Sequence, residues 1–257
     1  MKKITKAIIS LAFLSLASYL IVKGTKSSKA MDKTLENGIK VIKKYAKLEK
    51  VDLGEKEKIM IMKVLPFYTI AYNIENIGYL SLLTGNFGAM QFFCFILSPF
   101  EKDFPILTID YIYIFGKRQV LLETYNATLS KDSDAYKNFI NDFENVKKKY
   151  SDLKDWKMSP QSTDERLVIN VRKEGNDSEE DKFISIFSDV IDIYMKNIMN
   201  MPQLGEEDKK KKNELIKEFS EQLVKNGGVA VNSFKTSMNE DEVNKLFGEV
   251  FFGYDSY

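Results

Sequence analysis

The run Ile106–Phe115, directly after Pro105, is apolar on both of its faces. At the two-residue repeat of a strand, Ile106, Ile112 and Ile114 lie on one side and Leu107, Ile109, Tyr111 and Phe115 on the other. A strand with one wet face alternates apolar with polar residues, so this one is covered twice. The chain around it, from Phe67 to Ala127, is rich in Ile, Tyr, Phe and Leu and is broken by Gly78, Gly85, Gly88, Pro99, Pro105 and Gly116. That texture predicts antiparallel strands joined by short turns. The clearest hairpin pairs Ile106–Phe115 with Val120–Asn126 about a turn over 116–119. A sheet buried on both faces needs helices on both sides, so the expected fold is α/β: a three-layer α/β/α sandwich with a central, mainly antiparallel sheet.

Helical spacing supplies the outer layers. Residues 31–49 set Leu35, Ile39, Ile42 and Tyr45 on one stripe, and a short helix is expected from Glu55 to Leu65, stopped by Pro66. Ala135–Leu153 carries Phe139, Phe143 and Val146. Glu179–Met199 carries Phe183, Phe187, Val190, Ile191, Tyr194 and Ile198. Glu206–Lys225 carries Leu215, Ile216, Phe219 and Leu223 and stops at Gly227-Gly228. Ser237 or Asn239 is placed to cap a last helix that turns Val243, Leu246, Phe247 and Val250 inward. Between these, Arg166–Arg172 reads as a strand, Lys173–Glu180 as a loop open to solvent, and Lys209–Lys212 as the solvated start of a helix.

Charge and composition exclude several kinds of chemistry. Six of the lysines and no acid lie in residues 1–30, so a formal net charge of +1 leaves −5 for the remainder. An acidic body of that kind speaks against nucleic acid as a partner. With no histidine and one cysteine, the chain holds no Ser-His-Asp or Cys-His machinery, no zinc site of the usual kind and no internal disulfide; no metal is expected. The six lysines flank the apolar stretch Ala7–Val22, which is close to the lower limit for crossing a bilayer. Residues 1–30 are therefore expected to be an apolar anchor, or an organelle- or export-targeting segment with its linker, giving possible membrane contact through 7–22. A buried first helix is the plainer alternative. Residues 31–257 then form one domain.

Asp110 does not fit its strand. It sits mid-run on the face of Ile106 and Ile112, where lost hydration raises the pKa of a carboxyl and favours the neutral acid. Such a group is either a proton donor or a structural aspartate bonded to a backbone amide or a cation.

Residues 88–126, GAMQFFCFILSPFEKDFPILTIDYIYIFGKRQVLLETYN, resemble the central segment of the ferredoxin-dependent bilin reductases. In that family a proline-containing turn leads into the strand that carries a catalytic aspartate; Phe104-Pro105-Ile106 matches the turn exit and Asp110 falls on the aspartate. Arg166-Leu-Val-Ile-Asn-Val-Arg172 resembles the strand whose arginine holds a bilin propionate, Arg172 being the closer fit and Arg166 the second candidate. Asn226-Gly-Gly with Leu246-Phe247 and Phe251-Phe252 resembles the C-terminal region. The resemblance implies reduction of an open-chain tetrapyrrole by single electrons from ferredoxin, with no bound cofactor and with Asp110 donating a proton. Three departures stand out. Cys94 occupies the place of a histidine or asparagine opposite the aspartate, Asn226 replaces a second functional aspartate, and a net-acidic body faces an acidic ferredoxin. Cys94 and Asn226 are counted with the arginines as candidate bilin contacts, Cys94 being otherwise a small buried hydrophobe. The alternative function is a non-catalytic protein that holds a tetrapyrrole or another apolar ligand on the same fold.

Overall fold

A computed structural model describes residues 24–61, 64–88, 90–157 and 164–256. Its strands are β1 (Leu48–Val51), β2 (Lys58–Ile61), β3 (Leu65–Ile74), β4 (Gly78–Asn86), β5 (Met90–Ser98), β6 (Ile106–Ile114), β7 (Lys117–Tyr125), β8 (Lys154–Asp155) and β9 (Leu167–Asn176). They form one antiparallel sheet in the order β1-β3-β4-β5-β6-β7-β9-β8, with β2 also against β3. From β3 to β7 spatial order follows chain order, since short connections leave a strand little choice but to pair with its predecessor.

Helix α1, described over 24–42, packs with α2 (Asp134–Lys149) and α3 (Glu180–Met199) on one face of the sheet. On the other lie α4 (Glu206–Asn226), α5 (Val229–Lys235), α6 (Glu240–Leu246) and a π-helical turn, Phe247–Phe251. The expected three-layer sandwich is the fold found. Phe187 sits at the centre of the first face, edge-on to Phe93, Phe95 and Tyr111 at 5.4, 5.5 and 5.6 Å. On the second face Tyr125 lies 4.6 Å from Phe219, while the Tyr79 hydroxyl donates to the Val250 carbonyl at 3.0 Å. Asn239 caps α6, its side chain accepting from the Glu242 amide at 2.9 Å while Glu242 returns a bond to the Asn239 amide.

Several local expectations are corrected. The helix expected from Glu55 to Leu65 is not found among the described residues: a 3-10 turn, Gly54–Glu57, leads into β2, where Ile59 and Ile61 point inward at strand spacing, and Pro66 lies within β3 opposite Met60. The β6–β7 turn is not 116–119 but the two residues Phe115 and Gly116, with φ of 50° and 85°. Arg118, expected in that turn, is instead buried in β7, its guanidinium 4.5 Å above the Tyr113 ring and 2.5 Å from Glu180.

Lys173–Glu180 is not an open loop, because β9 runs on to Asn176 and the buried Lys173 donates to the Leu153 carbonyl and to Asp155. Lys212 is not solvated either. It is fully buried, donating to the carbonyls of Phe104 (2.6 Å) and Ala127, and burial lowers its pKa to about 7. Residues 24–30, expected as linker, are helical, with Ser27 and Ala30 buried. The apolar run Ala7–Val22 lies outside the described residues. Among those described, no helix is long and apolar enough to cross a membrane.

Candidate active site

The second face of the sheet is incompletely covered. Side chains two apart on a strand share a face, and the register across β5, β6, β7 and β9 sets Cys94, Asp110, Leu121 and Arg172 in one transverse row. The next row towards the helices is Ile96, Thr108, Glu123 and Asn170; the next towards the hairpin turns is Phe92, Ile112, Gln119 and Glu174. Ile96 and Glu123 are buried, whereas Phe92, Cys94, Asp110, Ile112, Leu121 and Arg172 all keep part of their surface open. On the opposite face Phe93, Ile109, Tyr111 and Val120 are fully covered. The helices thus leave the face partly open over the row that holds Asp110.

Within it the polar groups are linked. The Cys94 thiol donates to the Asp110 carboxylate directly across the β5–β6 pair. Part of Asp110's surface is accessible, but dense protein around the carboxyl costs it hydration, and this desolvation raises its pKa from 3.8 to about 6. The Cys94 bond opposes the rise and the negative charge of Glu123 adds to it. Glu123 is held by the Tyr125 hydroxyl at 2.6 Å and by Arg172 at 3.5 Å; burial raises its pKa, against the pull of both partners. Arg172 also donates to Asn170 at 3.0 Å. Burial, then the neighbouring Asp110 charge, push the Cys94 thiol well above its usual range. It is therefore a neutral weak donor rather than a thiolate nucleophile.

The structure brings Asp110, Cys94 and Arg172 together and sets the other two candidates apart. Arg166 lies just before β9, in a two-pronged pair with Asp164 (2.8 and 2.9 Å), its guanidinium 4.9 Å above Phe219. Asn226 is the exposed last residue of α4 and takes no part in the bonds around Asp110. Glu123 and Tyr125 were not anticipated. Their signal was present, since Glu123 interrupts the apolar run of β7 as Asp110 interrupts that of β6. Among the described residues no group of three or more Cys, Asp or Glu is placed to hold a metal ion.

An antiparallel sheet between two helical layers is a fold this chain shares with a bilin-binding protein of known structure. The chain superposes on a crystal structure of selenomethionine-labelled phytochromobilin synthase from tomato in complex with biliverdin, with a TM-score of 0.69. The match covers 87% of this chain and 83% of the tomato chain at 16% sequence identity, a likeness of fold. No sequence family and no curated protein matches the chain.

Proposed function

We propose that the chain binds a bilin on the partly open face over Asp110 and, supplied with electrons by ferredoxin, reduces it with Asp110 as proton donor. The observation that carries this reading is the Asp110 carboxyl, set among Phe92, Ile112 and Leu121 with a pKa of about 6, so that it holds a proton under mildly acidic conditions and gives it up near neutrality. The fold likeness to a protein that binds biliverdin supports the choice of ligand. Reducing one double bond takes two electrons, delivered singly, and two protons. Asp110 supplies one proton to the radical formed by the first electron and is reprotonated from water; solvent supplies the second. Phe92 and Ile112 offer apolar surface to a flat tetrapyrrole. Arg172 is the cation nearest the donor, and a propionate binding there would share it with Glu123 and Asn170.

The second reading, a binding protein without turnover, draws on one feature: Arg172 and Arg166 are both already engaged by carboxylates. Titration with biliverdin under anaerobic conditions, followed by reduced ferredoxin, separates the two. A spectral shift that then moves to shorter wavelength is the expected result. A shift without reduction leaves the binding protein, and no shift overturns both.

The rate of reduction should fall as pH rises through about 6, as Asp110 loses its proton. Since the Glu123 charge raises the Asp110 pKa, Glu123→Gln should move that fall to lower pH. An unmoved profile would show that Glu123 does not act on the donor.

A further inference from the structure

The hairpin turns β2–β3, β4–β5 and β6–β7 lie at one end of the sheet, because each joins successive antiparallel strands. That end carries Val64, Met90 and Phe115 at 70%, 37% and 60% exposure, one at or beside each turn, with Met60 and Tyr68 just behind the first. These are five of the nine most exposed large apolar side chains among the described residues, so the exposure is concentrated at one end rather than scattered. Phe115 is the most unusual of them. Its φ of 50° is a left-handed conformation that a bulky side chain adopts at a cost and that Asn, Asp or Gly would adopt with ease. A ring kept exposed on a strained turn is a feature that folding alone does not require.

Helix α1 begins at the same end. The Asn86 side chain, at the tip of β4, donates to Ser28 Oγ at 3.1 Å; from there α1 and the turn after it run back along the sheet to Lys47, whose carbonyl accepts from the Glu75 amide in the β3–β4 turn at the opposite end. The described chain therefore starts at the end where the exposed apolar tips gather, and the apolar stretch Ala7–Val22 with its flanking lysines precedes it in sequence. Lys26, Lys29 and Lys117 are exposed there too. The acidic residues Asp177, Glu179, Glu180 and Asp181 follow directly after Asn176, which pairs with Lys117, so they border the surface beside the β6–β7 turn.

We propose that this end of the sheet rests on a lipid bilayer, with Val64, Met90 and Phe115 seated in the headgroup region. Apolar residues beside lysines suit that boundary, where the side chain enters the acyl edge and the ammonium meets phosphate. The proposal is independent of the reaction at Asp110.

The test uses the full chain in phosphatidylcholine/phosphatidylglycerol vesicles, with Trp156→Phe to remove the one native indole and a single tryptophan introduced as Phe115→Trp or, at the opposite end, Glu75→Trp. Lipids brominated near the headgroup should quench the first by roughly half and leave the second unchanged. Equal quenching at both ends, or none at either, would overturn the proposal; absence of quenching together with concentration-dependent self-association would assign the apolar tips to a second copy. Phe115→Asn supplies an independent check. It relieves the turn, so the melting temperature should hold or rise, and a clear fall would show that the ring packs on the protein rather than on lipid.

Discussion

Asp110→Asn is expected to lower the rate of bilin reduction by about 100-fold or more, the usual scale for removing a positioned proton donor, while biliverdin still binds. The amide preserves the side chain's shape and can still accept from the Cys94 thiol, so the loss would isolate proton donation from packing. The same substitution should make the protein more stable. In the native state the Asp110 pKa is raised to about 6, above its value of 3.8 in the unfolded chain. Between those values the native state binds more protons than the unfolded state, and stability declines as pH rises through that window. Below it the aspartate and the asparagine are both neutral and differ little; above it only the aspartate carries the cost of a crowded charge. Thermal melts at pH 4 and pH 8 should show similar midpoints at the lower pH and a higher midpoint for the variant at the upper. A variant less stable than the parent at pH 8 would identify Asp110 as a structural anion, the alternative that its position in the sequence left open.

Phe187→Ala is expected to destabilise the fold by about 3–5 kcal/mol, the range for removing a large aromatic from a packed core. Phe187 is fully buried and meets three rings of the central strands edge-on. It also joins two helices to the sheet, since a Cβ at Gly38 of α1 would lie 2.2 Å from the Phe187 ring. The approach is close enough that neighbouring groups cannot collapse into the space without α1 moving, so a cavity should persist. Against a total stability of about 5–15 kcal/mol, the loss should shift the urea midpoint markedly. A change under about 1 kcal/mol would mean that the aromatic cluster repacks.

Much of this architecture was legible because it follows from periodicity. The two apolar faces of β6 required two covering layers, and the stripes of α3 and α4 supplied them. The face on which Asp110 lies was legible too, although its partner was not. A turn over 116–119 would have set it opposite Tyr125, whereas the tight turn at Phe115 and Gly116 sets it opposite Leu121. Because the difference is an even number of residues, it leaves every side chain on its face. Phe115 concealed the turn, since a bulky residue at positive φ defies the rule by which such turns are recognised.

Residues whose burial depends on distant chain were harder to read. Lys212 follows a run of charges and looks solvated, but its ammonium reaches carbonyls in the loops after β5 and β7. Arg172 and Glu123 meet only through the pairing of β7 with β9, 49 residues apart in sequence. Nothing local in either strand announces that contact, and with it went the chance of foreseeing that the arginine expected to hold a ligand already has a carboxylate beside it.

An open sheet has margins, and unpaired backbone groups along a margin invite another chain to add itself as a strand. Here the outer strands are small: four residues in β1, four in β2 and two in β8. They are also charged. Lys47 pairs with Glu49 and Lys50 with Glu57 along β1, and Lys154 with Glu174 and Asp155 with Lys173 along β8. A foreign strand laid against β1, β2 or β8 would find little length to pair with and would have to strip water from ionic groups. The long apolar strands β4 to β7 are kept in the middle with partners on both sides, an arrangement that works against aggregation of so hydrophobic a sheet.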